Sequence, residues 1–327
     1  MPVGQVKTKA GTRFLPIYLE SLRLDTVLDF DLYIKIGQEM VLYRSADLPF
    51  TGKTRQMLLT NNVKRLYVSD GDRKHYQHYI EQNLTNILND QTIPEKRKAG
   101  ILYETSKSLM KDVLDNPSFG DNIKRSQNLV ADTVGFVLKG QQAFHNLLKI
   151  SSFDYYTYTH SVNVCTFSIA LAQQIGRNDE EYLYELGLGA LLHDIGKSRI
   201  SERILNKRTS LSPVEYELMK KHPKWGVEIL AHSDLIEAAS YYPVLQHHER
   251  GSRSGYPNGL SLDEMHEFSR IVAITDTFDA MTTARVYQKA VETFPALKNM
   301  FHLQGEYDDE LLKAFTSLMG PSGLLNI

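Results

Sequence analysis

The hydrophobic pattern changes once along the chain, near residue 90. Before that point, apolar and polar positions mix in short runs. Phe30, Leu32, Ile34 and Ile36 alternate with Asp31, Tyr33 and Lys35, which is the period of a half-buried strand. Met40-Val41-Leu42-Tyr43 and Leu66-Tyr67-Val68 predict two more short strands. Helical spacing follows Gly52 and Asp72. These elements predict a small α+β module from Phe14 to about Asn83, within a first domain of residues 1–88. Residues 1–12 read as a polar arm.

The polar stretch Asn89-Asp90-Gln91-Thr92-Ile93-Pro94 marks a boundary. Residues 89–327 then read as helix nearly throughout. The expected fold is mainly α, an all-helical C-terminal bundle behind a small N-terminal α+β domain. Ser212-Pro213-Val214-Glu215 is a capping box with proline at the first helical position, and Ser261-Leu262-Asp263-Glu264 is a second box. His222, just before Pro223, reads as the end of the helix opened at Ser212. Ile271, Ile274, Phe278 and Met281 recur at helical spacing and read as core.

Composition narrows the class. The 327 residues are 42% hydrophobic and 23% charged, as in a globular protein. A net charge of −2 gives no support to binding of a nucleic-acid polymer, which needs a basic excess. No apolar run reaches membrane-span length, and no N-terminal segment has signal-peptide form, so a cytoplasmic location is expected. The single cysteine, Cys165, rules out an intrachain disulfide and fits a reducing compartment. It reads as a small buried hydrophobe.

Five of the 11 histidines stand in suggestive places. His160 follows the aromatic run Tyr155–Thr159, and His193-Asp194 ends the apolar segment Leu186–Leu192. His247-His248 is a tandem pair, and Asp276 lies inside the apolar stripe. With His222 these offer imidazole and carboxylate donors suited to a borderline divalent metal. Asp194 has the chemistry to bridge two ions with a hydroxide between them, a nucleophile for attack on phosphorus. Spacing alone leaves open the other reading, of surface or satisfied core histidines. His75 and His78, one turn apart with no third donor nearby, read as a solvated helix face. Lys197, Arg199, Arg203, Lys207 and Arg208 follow His193 closely. They form either a solvated face or, through Lys197, a contact for a phosphate oxygen.

His193-Asp194-Ile195-Gly196-Lys197 resembles the signature of the HD superfamily of metal-dependent phosphohydrolases. His247-His248-Glu249-Arg250 followed by Gly255-Tyr256-Pro257 resembles the second signature of its HD-GYP family, and Asp276–Thr282 the third. The resemblance spans about Pro94 to Ala290 and implies an HD-type helical bundle in a bacterial cyclic di-GMP phosphodiesterase, yielding pGpG or GMP. It implies His160, His193, Asp194, His222, His247, His248 and Asp276 as metal ligands, with Asp194 and Lys197 catalytic. It implies Lys197, Arg285, Gly255, Tyr256, Pro257 and Asp279 as substrate contacts. Tyr156 stands where some members carry a glutamate that helps hold a third metal, so two divalent ions are expected, iron first and manganese second. Ser252-Arg253 replaces the usual Asp-Gly or Asn-Gly, and Ala284-Arg285-Val286-Tyr287-Gln288 replaces Asp-Arg-Pro-Tyr-Arg. These departures keep two alternatives in view: a cyclic di-GMP sensor with weak turnover, and a phosphohydrolase for another nucleotide. The N-terminal module resembles regulatory domains that precede some members. Signalling partner proteins and self-association stay open as partners.

Overall fold

The computed structural model describes residues 12–63, 65–117, 120–150, 157–207, 209–232, 235–283 and 290–320. The polar arm before Thr12, Tyr155, Tyr156, Arg208 and the segment Ala284–Gln288 with Arg285 lie outside the described residues.

The chain divides into two compact units, Met1–Ile101 and Leu102–Ile327. In the first, β1 (Phe14–Tyr18), β2 (Thr26–Val27), β3 (Leu32–Ile36), β4 (Glu39–Arg44) and β5 (Pro49–Phe50) precede α1 (Gly52–Thr60), β6 (Arg65–Ser69) and α2 (Arg73–Asn89). A four-stranded antiparallel sheet runs β1-β6-β3-β4, with Phe14 opposite Ser69 and Ile34 opposite Val41. The alternation read around Phe30 holds for its first half only. Phe30 and Leu32 are buried, whereas Ile36, at the hairpin end, is 58% exposed. Phe30 meets the rings of Tyr76 and Tyr79 of α2 edge-on, each at 5.5 Å, which seats the helix on the core. His75 lies on the outer face of α2, with its side chain 59% exposed.

The two units divide inside α3 (Glu95–Asp115), not in the polar stretch before it. The first turns of this helix belong to the N-terminal unit, where the Arg97 guanidinium sits 3.9 Å from the Tyr18 ring centroid.

The second unit is helical: α4 (Gly120–Val137), α5 (Gln141–Ile150), α6 (Thr157–Gln174), α7 (Glu180–Leu192), α8 (Glu202–Leu205), α9 (Pro213–Met219), α10 (His222–Leu230), α11 (Tyr241–Gln246), α12 (Glu267–Thr282), α13 (Thr293–His302) and α14 (Asp309–Met319). Helix α6 is the axis. Every residue from Thr159 to Ala172 is buried, because α7, α12 and α14 pack around it. Cys165 is part of this buried stretch, and burial pushes its thiol up to about 12. Polar groups on the axis pair with neighbours, as Ser168 Oγ does with Thr275 Oγ1 at 2.8 Å.

Both predicted capping boxes form. One boundary differs from its reading. Helix α9 stops at Met219, and His222 opens α10 with Pro223 in its first turn. Proline lacks the amide that a first turn leaves unused, so it marks this helix start.

Candidate metal centre

The histidines of the sequence reading come from separate segments and converge. His160 lies in the first turns of α6. His193 caps α7, and Asp194 begins the 3-10 turn Ile195–Arg199. The two therefore sit at a helix end, not within a continuing helix. His222 opens α10, His247 caps α11, and Asp276 lies mid-way along α12. His160, His193, Asp194, His222 and His247 are each no more than 1% exposed, and Asp276 is 7% exposed.

Gly196 lets two of these segments meet. A Cβ there would lie 1.9 Å from the main-chain oxygen of His222 and 2.6 Å from the amide nitrogen of Gly226. Only glycine allows the turn after Asp194 to press against the start of α10.

Asp194 is the hub. Its Oδ1 lies 3.3 Å from His222 Nε2 and 3.7 Å from His247 Nε2. Its Oδ2 lies 3.4 Å from His193 Nε2 and 3.7 Å from His160 Nε2. Two donor groups share it: His160, His193 and Asp194, and Asp194, His222, His247 and His248. Asp276 Oδ1 is 3.1 Å from His160 Nε2, and its Oδ2 is 4.0 Å from His248 Nδ1.

The outer ring nitrogens fix the inner ones. Nδ1 of His193, His222 and His247 donates to the main-chain oxygens of Ala190, Met219 and Pro243 at 2.7, 2.8 and 2.8 Å. A carbonyl only accepts, so the proton is on Nδ1, and Nε2 of the neutral ring presents a lone pair inward. Burial lowers the His222 imidazole to about 4, and burial with neighbouring histidines holds His247 and His248 well below their usual range. Asp194 and Asp276 go the other way. Burial opposes their charge, but both are held well below the carboxylate range, Asp194 chiefly by the Lys197 ammonium at 2.5 Å. Neutral imidazoles with two ionised carboxylates are a divalent-metal donor set. The orphan atoms agree. His193 Nε2 and Asp194 Oδ1 are buried without a hydrogen-bond partner among the described residues.

Asp279, read as a substrate contact, is 2% exposed and fully engaged. Its Oδ2 meets His160 Nδ1 at 2.7 Å, and its Oδ1 accepts from Asn163 Nδ2 at 2.8 Å. Asn163 Oδ1 in turn accepts from Tyr103 OH at 3.0 Å. This is an outer layer that orients His160.

The cluster forms the floor of a cavity of about 670 Å³, in the size range of ligand sites. Lys197 also lines it, with Nζ 2.5 Å from Asp194 Oδ2. Tyr256 forms one wall and stacks on His248, with ring centroids 4.6 Å apart. Gly255 and Pro257 flank it without facing the cavity. Gly255 is irreplaceable for shape, since a Cβ would lie 2.4 Å from the amide nitrogen of Arg250. The loop is pinned by Glu249, wholly buried, which accepts from the amides of Asn258 at 2.7 Å and Leu260 at 2.9 Å. At the Ser252-Arg253 departure the left-handed conformation is kept, with Arg253 at φ 65°. Arg250 and Thr277 stand inside the quoted motifs without an assigned role, and Asn163 was not singled out in the sequence. The one available signal was that Glu249-Arg250 directly follow the tandem histidines.

A helical bundle that gathers histidines around a His-Asp pair defines an HD-type protein, and residues 127–311 match the HD domain family. The chain belongs to that family, in its HD-GYP form. It is 34% identical over 235 residues to a cyclic di-GMP phosphodiesterase of Pseudomonas aeruginosa, covering 71% of this chain and 56% of that protein. It is 37% identical over 168 residues to a cyclic di-GMP phosphodiesterase of Thermotoga maritima, covering 50% of this chain and 45% of that one. A 3′3′-cGAMP-specific phosphodiesterase of Vibrio cholerae is 32% identical over 237 residues, covering 68% and 49%. The chain thus spans about half the length of these relatives. In fold it resembles an HDG"Y"P protein of Bdellovibrio bacteriovorus, with a TM-score of 0.65 at 24% identity, covering 94% of this chain and 99% of that one. Among the described residues, no helix is long and apolar enough to cross a membrane.

Proposed function

We propose that this chain is a metal-dependent phosphodiesterase that hydrolyses cyclic di-GMP to pGpG, GMP or both. The observation that carries this reading is the convergence of inward lone pairs on Asp194 at the floor of a cavity that Lys197 and Arg250 help to line. Two divalent ions are the proposed cofactor, iron first and manganese second. His160 and His193 would hold one, His222, His247 and His248 the other, with Asp194 between them and Asp276 completing the set. When bound, such ions supply Lewis acidity and a water acidic enough to act as a nucleophile at neutral pH.

The chain's own groups do the rest. Lys197, beside Asp194, neutralises charge as it grows on the phosphate oxygens. Tyr256, stacked on His248, keeps that ring in place and forms one wall of the cavity. Its phenol stays protonated, since burial raises it. Asp279 holds His160 through its outer nitrogen.

Asp194→Asn tests the assignment. The variant is expected to bind less than half the metal of the wild type and to lose about 100-fold or more in turnover of cyclic di-GMP. Wild-type metal content and rate in that variant would refute it. A second reading keeps the chemistry and changes the base, because a relative of similar coverage is named for 3′3′-cGAMP. A kcat/KM higher for 3′3′-cGAMP than for cyclic di-GMP would favour it.

A further inference from the structure

Arg250 is set in the cavity wall two residues after His248. Its Nη1 donates to the main-chain oxygens of His247 at 3.0 Å and Glu249 at 2.7 Å, and its Nη2 to Thr277 Oγ1 at 3.2 Å. The guanidinium lies 5.2 Å from the Tyr307 ring centroid, and Tyr307 OH donates to the same Thr277 oxygen at 3.1 Å. Every one of these partners is uncharged. Among the described residues no carboxylate pairs with Arg250, whereas Lys197 sits 2.5 Å from Asp194 Oδ2. A guanidinium has five N–H groups, and three are used here, leaving two. The result is a half-buried cation of fixed geometry, with charge and donors to spare, among the residues that line the cavity. That combination is a built site for a phosphate oxygen.

The position says which phosphate. Lys197 touches the hub of the cluster, where the reacting phosphodiester would lie. None of the three hydrogen bonds of Arg250 goes to a side chain of the cluster, and its side-chain hydrogen-bond and ring partners are Thr277 and Tyr307. A cyclic dinucleotide carries two phosphodiesters on one ring, so only one can lie at the cluster at a time. We propose that Arg250 holds the phosphodiester that is not being cut, and so favours ring substrates over simple phosphodiesters. This rests on the cyclic dinucleotide reading above.

The test compares two substrates on the metal-loaded full chain. Cyclic di-GMP has both phosphodiesters, and bis(p-nitrophenyl) phosphate has one. In Arg250→Gln, kcat/KM for cyclic di-GMP is expected to fall about 10-fold or more beyond any loss for the small diester, through KM. Metal content is expected to match the wild type. Arg250→Lys, which keeps the charge, should recover part of the difference. It also carries the comparison if the glutamine variant does not fold, with a relative loss of about 3-fold. Equal losses on both substrates would place Arg250 at the scissile group or in the scaffold and overturn the proposal. So would no loss on either. A wild type that cuts the small diester but neither binds nor cuts cyclic di-GMP would instead overturn the substrate reading, and the role of Arg250 with it.

Discussion

Nε2 of His222 and Nε2 of His247 face each other across 3.1 Å. Each ring donates its Nδ1 proton to a main-chain carbonyl, so both facing atoms present lone pairs. Two acceptors at that distance repel unless a cation lies beside them. The bound metal should therefore contribute to stability as well as to chemistry. At a free metal concentration near 1,000 times Kd, about 4 kcal/mol is expected. Melting curves of chelated protein, before and after Mn²⁺ addition, should show Tm rising by several degrees. In His247→Ala that rise should fall by at least half. An equal rise in both proteins would remove His247 from the ligand set.

Glu249 predicts a second outcome. Its carboxylate is wholly buried and accepts from the amides of Asn258 and Leu260. Glu249→Ala strands both donors and frees the loop that carries Tyr256, at a cost of about 3 kcal/mol. Denaturant midpoints would measure the loss. Amide exchange at Asn258 and Leu260 should quicken more than at Ile271, in the core of α12. Uniform quickening would mean that Glu249 does not act on the loop.

Arg253 is a non-glycine residue at φ 65°. A side chain in this region costs about 1–2 kcal/mol. Its ion pair with Glu264, at 2.9 Å between side chains that are both about half exposed, offsets little of that. Arg253→Gly should therefore stabilise the protein slightly, by about 0.5–1 kcal/mol, read as a rise in denaturant midpoint. A fall would show that the pair with Glu264 outweighs the backbone strain.

Asp90 gives the pH dependence. Hydrogen bonds from the Thr92 hydroxyl and amide, with the Arg23 guanidinium beside them, lower its carboxyl to about 2. The folded value lies below the unfolded one of about 4. The contribution is thus fully present above pH 4 and is lost as pH falls through about 2. Asp90→Asn should lower Tm at pH 6, and the gap to wild type should close by pH 2. A gap that stayed constant with pH would exclude the charge as its cause.

Much of the site was legible because its signals are contiguous. His193-Asp194 and His247-His248 stand side by side in the chain, and both lie at helix ends that turn into the cluster. His160 and His222 could be assigned only by resemblance, since no local spacing ties them to the others. The boundary at His222 was missed because Pro223 was read as a stop, although proline suits a helix start equally. Asp279 is close to one turn from Asp276, and spacing could not say that it faces His160 instead of the cavity. Arg250 was passed over because main-chain oxygens hold it, and these leave no mark in a sequence. In the N-terminal module, β2 and β5 are two residues each, too short for any alternation to register.

The way the rings are held has an evolutionary consequence. Three inward-facing imidazoles owe their orientation to the carbonyls of Ala190, Met219 and Pro243, which any residue at those positions would supply. Side-chain drift around them leaves that orientation untouched. His160 alone among the four rings with inward Nε2 relies on a side chain, Asp279, backed by Asn163 and Tyr103. Among these four rings, selection acting through ordinary point mutations therefore has its dial at His160.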